Sequence, residues 1–68
     1  MNKPAPESFN CNVVSTDTLT VENHSDGDIG LFARDSINGE VVSIYLTPAE
    51  ARKLRKALKR AIKFGEQA

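Results

Sequence analysis

Two short turn signals constrain this chain more than any other feature. Asn38-Gly39 separates two alternating apolar runs, and both residue types tolerate the positive φ of a two-residue type I′ hairpin turn. Ser25-Asp26-Gly27 reads as a three-residue loop with Gly27 in the left-handed position. Each turn dictates a register. The first sets Ala33 opposite Ile44, Leu31 opposite Leu46 and Phe32 opposite Tyr45; the second sets Val21 opposite Leu31 and Leu19 opposite Ala33. Side chains alternate faces along a strand, so Leu19, Val21, Ile29, Leu31, Ala33, Val42, Ile44 and Leu46 then share one face. Two independent turns agree on one apolar surface.

Upstream, Phe9, Cys11 and Val13 alternate, and a turn through Ser15-Thr16-Asp17 folds them back beside Leu19 and Val21 as a fourth strand. The alternative is that this segment covers the other sheet face with Phe9 or Val14. Cys11 reads as a small buried side chain. Residues 1–8 hold two prolines and no periodicity, which predicts a mobile tail.

The last strand runs into a helix almost without a linker. Thr47 is suited to cap the free backbone donors, Pro48 suits the first helical position, and Glu50 completes a capping box. Gly65 predicts a left-handed stop, with Lys59, Arg60 and Lys63 set against the negative end of the dipole. At 100° per residue, Ala51, Leu54, Ala57, Leu58, Ala61 and Ile62 form one apolar face, which suits a lid for the sheet. The sequence thus predicts an α+β domain over residues 9–65: a three- or four-stranded antiparallel β-meander with one C-terminal amphipathic helix packed on one face. Residues 1–8 and 66–68 are its tails.

Nine basic and nine acidic side chains cancel, but they are segregated. Residues 1–47 hold two basic and seven acidic side chains; residues 48–68 hold seven basic and two acidic. Between Ala51 and Gly65 there is no acid, and Arg52/Lys56, Arg55/Lys59, Lys56/Arg60 and Lys59/Lys63 are like-charged i,i+4 pairs, each destabilising by a few tenths of a kcal/mol. A solvated helix face usually mixes signs, so this one marks Arg52, Arg55, Lys56, Lys59, Arg60 and Lys63 as candidates for an acidic partner.

Catalytic inventories fail. His24 is the only histidine and lies beside Ser25 and Asp26 in a loop, where a nucleophile and base lack an enclosing pocket; it reads as a solvated loop residue. Asp26 and Asp28 offer too few oxygens for a calcium loop. No metal spacing, phosphate loop or cofactor signature is present, and no small-molecule substrate is evident. No run is long and apolar enough to span a membrane, and no apolar leader opens the chain. One cysteine forbids an internal disulfide and suits a reducing, cytoplasmic setting.

At 68 residues a single core is marginal, and without disulfide or metal the default remedy is association, here a homodimer. Phe32, Val41 and Tyr45 on the second sheet face are the candidate self-association patch. The expectation is a small non-enzymatic interaction or regulatory module with no cofactor, presenting its basic helix face to an acidic protein partner. The alternative is nucleic-acid binding through the same helix.

Overall fold

The computed structural model describes residues 2–68. Four strands, β1 (Glu7–Asn10), β2 (Thr18–Asn23), β3 (Ile29–Arg34) and β4 (Val41–Leu46), precede one helix, α1 (Pro48–Gln67). The strands form one open antiparallel sheet in chain order. This is the expected α+β meander with a C-terminal helix, and the N-terminal segment supplies the fourth strand. β1 begins at Glu7, so it takes in the end of the predicted tail, and it ends at Asn10. The connection spans residues 11–17, closed by the Cys11 amide on the Asp17 carbonyl, rather than the predicted turn at Ser15-Thr16-Asp17, so Cys11 and Val13 lie outside the strand.

The β2–β3 register is the predicted one, with Leu19 opposite Ala33 and Val21 opposite Leu31. His24 donates its amide to the Asp28 carbonyl, Gly27 donates to the His24 carbonyl, and Gly27 holds φ +96°. Only a residue without a Cβ takes that conformation freely.

The β3–β4 register differs from the prediction by two residues. Ala33 lies opposite Val42, Leu31 opposite Ile44, Ile29 opposite Leu46, Phe32 opposite Ser43 and Tyr45 opposite Gly30. The connection is not a two-residue turn at Asn38-Gly39. Asp35 donates its amide to the Glu40 carbonyl, leaving residues 36–39 as the loop, and only Gly39 has positive φ. The cause is the Asp35 carboxylate, which accepts from the amides of Ile37 (2.9 Å) and Asn38 (3.3 Å) and from Asn38 Nδ2 (2.8 Å). This local Asx geometry wraps the chain before Asn38-Gly39 can close the tighter hairpin. A shift of two preserves which face each side chain occupies, so the predicted apolar face survives intact.

That face carries three cross-strand rows: Phe9–Leu19–Ala33–Val42, then Val21–Leu31–Ile44 with Glu7 at the edge, then Ile29–Leu46. At one end of the sheet, the Asp17 carboxylate accepts from the Ser36 amide (2.8 Å) and hydroxyl (2.7 Å), tying the β1–β2 loop to the β3–β4 loop. Cys11 is exposed rather than buried. It lies beyond the end of β1, where its Sγ accepts from the amides of Val13 and Val14.

The helix starts as expected. Thr47 Oγ1 accepts from the Glu50 amide (3.2 Å), Glu50 Oε1 accepts from the Thr47 amide (3.0 Å), and Pro48 fills the first turn. It does not end as expected. Gly65 stays helical and α1 runs to Gln67, so the last turn holds Glu66 and no basic side chain. Gly65 costs the helix about 1 kcal/mol relative to alanine, and nothing after it breaks the helix.

Against the sheet, α1 makes its main contact with β4. Ala51 is half-buried, but Leu54, Leu58 and Ile62 are exposed, the last two by 54% and 60%. Among the described residues no hydrophobic side chain is fully buried, and the chain is flat, 37 × 32 × 18 Å. The lid is seated by its first turn and open beyond it. The link explains this: a single residue, Thr47, is extended (φ −69°, ψ 162°), held by its cap and by the proline that follows.

Candidate interaction surfaces

Three surfaces follow from this fold. The first is the basic face of α1. At 100° per residue, Arg52, Arg55, Lys56, Lys59, Arg60 and Lys63 span an arc of about 140°, and all six are exposed, as is Lys53 at its margin. Continuous helix brings them together over roughly 17 Å at 1.5 Å per residue.

The second is the sheet face bearing Thr20, Glu22, Phe32, Ser43 and Tyr45. Phe32 and Tyr45 meet there although they are not directly opposite: their rings are edge-to-face with centroids 5.8 Å apart. His24 joins them, 5.0 Å from Tyr45 in a T-shaped contact and 6.4 Å from Phe32. The expectation that His24 is merely solvated is therefore corrected. Its amide extends the β2–β3 ladder by one step, and its ring folds back over the sheet. The side chain is half-buried, and Nε2 is enclosed without a hydrogen bond to any described residue.

Gly30 makes this cluster possible. A Cβ there would lie 2.8 Å from Phe32 Cε2, 2.9 Å from Phe32 Cζ and 3.1 Å from His24 Nε2. Gly30 is the buried residue over which the rings close. The signal for it lies in the sequence: a glycine within an apolar strand marks a close approach. Val41 is not part of the cluster. It pairs with Arg34, four residues along β4 from Tyr45, or about 13 Å at the rise of a strand.

The third is the open apolar face. A shallow depression lies along its first row, floored by Ala33 between Phe9, Leu19 and Val42. Asp17, Asp35 and Glu40 stand on its border, together with Arg34. Val42 and Ile44 are 60% and 53% exposed. Sequence reasoning assigned this face to the chain's own helix and so did not single it out as a surface.

Among the described residues no group of three His, Cys, Asp or Glu side chains is disposed to hold a metal ion. Nor, among the described residues, is any helix long and apolar enough to cross a membrane. No family model, no curated protein and no solved structure matches the chain.

Proposed function

We propose that this chain is a small, non-enzymatic, cytoplasmic interaction module that self-associates and presents the basic face of α1 to an acidic protein surface. One observation carries the reading: an uninterrupted exposed basic arc runs along a helix whose opposite, apolar face is also largely exposed. The arc contributes nothing to packing and accepts like-charge repulsion at four i,i+4 pairs. A rigid row of cations is suited to carboxylates spaced along a partner's surface. The single histidine, engaged by two aromatic rings, favours a binding role over catalysis.

The test is fluorescence anisotropy with a short labelled polyglutamate peptide and, separately, a labelled random-sequence DNA duplex, across a salt series. The wild-type chain is expected to bind polyglutamate more tightly than duplex. Lys56→Glu, Lys59→Glu and Lys63→Glu together should weaken that binding at least about tenfold, the effect of about 1.4 kcal/mol, with helicity unchanged by circular dichroism. Tighter duplex binding, falling steeply with salt as phosphate counterions are released, would assign the face to nucleic acid. Binding untouched by the triple reversal would remove α1 from the site altogether.

A further inference from the structure

We propose that the occupant of the open sheet face is the α1 helix of a second copy of this chain, so that two chains exchange helices about a two-fold axis. This rests on the self-association half of the proposed function. It moves the surface from the Phe32–Tyr45 face to the opposite one.

Area supplies the first argument. A folded monomer of 7.4 kDa should expose about 4,200 Å²; this chain exposes 5826 Å². Residues 2–6, exposed and outside any strand, account for about 500 Å² of the difference at the unfolded-chain rate of about 1.45 Å² per dalton. About 1,100 Å² per chain is left, so a pair would bury about 2,200 Å², within the range of obligate homodimers.

Complementarity supplies the second. The stripe from Ala51 to Ile62 is about 17 Å long, and the sheet it must cover is about 14 Å across four strands and about 20 Å along them. Leu54, Leu58 and Ile62 are protrusions, and the Ala33 floor between Leu19 and Val42 is a depression. The borders match in charge as well. Asp17, Asp35 and Glu40 line the depression, and Arg55 and Lys53, at the two ends of the basic arc, flank the stripe, the two segments carrying opposite net charge. Arg34 is the exception on that border.

Connectivity supplies the third. The capped one-residue link at Thr47 directs α1 off the end of β4, and the stripe and the sheet face are both left exposed within one chain. Two complementary surfaces left open within a chain close between chains, and a two-fold axis makes both contacts equivalent.

The experiment uses the wild-type protein. Equal amounts of natural-abundance and ¹⁵N-labelled chain are mixed, incubated to exchange, and treated with a carbodiimide that joins lysine amines directly to carboxylates. Mass spectrometry should find Lys53, the lysine that borders the stripe, joined to Asp17, Asp35 or Glu40, with mixed-isotope links as frequent as the two same-isotope kinds together. Same-isotope links alone, or no links between α1 and that border, overturn the exchange.

Sedimentation over a dilution series separates this inference from the reading beneath it. Leu58→Asp and Val42→Asp should each raise the dimer dissociation constant at least about 30-fold, the loss of one buried hot spot. Mixing the two variants should partly restore the dimer, because one of the two helix–sheet contacts is then free of both changes. A wild-type monomer at every concentration overturns self-association itself. A dimer that tolerates both substitutions and dissociates on Tyr45→Asp keeps self-association and overturns the helix exchange.

Discussion

On one face of the sheet His24, Phe32 and Tyr45 turn their rings onto one another over Gly30. On the other, Phe9, Leu19, Val42 and Ile44 stand in rows and remain largely exposed. The first face finds its contacts within the sheet itself, because Tyr45 is paired with Gly30 and the His24 ring, just past the end of β2, reaches it over that glycine. The second needs a separate layer, and α1, whose stripe matches it, leaves the sheet through a one-residue link. The two faces also differ in what they demand of register. A shift of two residues between β3 and β4 leaves the open face unchanged in membership, but it decides whether Tyr45 sits across from Gly30 or across from Phe32.

The largest effect confined to one face should come from Gly30→Ala. The new methyl would meet the Phe32 ring and His24 Nε2 at distances that real side chains avoid, so two rings held by a third must shift together. Overpacking of this kind costs about 1–3 kcal/mol, to be read from urea denaturation. In a Phe32→Leu background the same substitution should cost less, which identifies the ring as the obstacle. Sedimentation of Gly30→Ala should match wild type. Weakened association would mean that the two faces are energetically one.

What was legible beforehand follows the same division. Alternation alone assigns Leu19, Val21, Leu31, Ala33, Val42 and Ile44 to one face, and a register error of an even number of residues cannot undo that assignment. The aromatic cluster depends on the register itself. That register was set by Asp35 binding the amides of Ile37 and Asn38, where Asn38-Gly39 had promised a tighter turn. His24 was hidden because it lies just past the last residue of β2, although it continues the even-numbered series Thr20, Glu22 that points to the aromatic face. The cations of α1 were read from periodicity and are exposed as that reading requires. The seating of the helix was not legible, because amphipathicity says which side of a helix is apolar and nothing about whether its own sheet lies within reach.

A smaller effect is expected at the junction that keeps the open face open. Thr47→Ala removes the hydroxyl that accepts the Glu50 amide and breaks half of the capping box. Loss of such a cap costs about 1 kcal/mol, visible as a lower urea midpoint together with reduced helical ellipticity. Glu50→Gln keeps an acceptor for the Thr47 amide and should cost less than Thr47→Ala. If Thr47→Ala instead lowers the exposure of the helix stripe to a hydrophobic dye, the link is the restraint that holds α1 away from its own sheet.

The smallest effect concerns the loop that sets the register, and it is one of pH. The side-chain amide of Asn38 and the backbone amides of Ile37 and Asn38 hold the Asp35 carboxyl below its ordinary value of 3.8. A carboxyl depressed on folding stabilises the fold above the unfolded-state value and loses that contribution as pH falls through the folded-state value. The window therefore lies below about pH 4. In Asp35→Asn the side chain still offers an oxygen to the Ile37 amide but sets an NH₂ group against the Asn38 amide nitrogen. Its stability should be lower than wild type at neutral pH, and the gap should close as wild-type Asp35 protonates. The signal that matters is the Tyr45 near-ultraviolet dichroism: a register released by Asp35→Asn would move Tyr45 off Gly30 and weaken that band, leaving the membership of the open face unchanged. A band that persists in Asp35→Asn would mean that the aromatic cluster selects the register and the loop merely follows it.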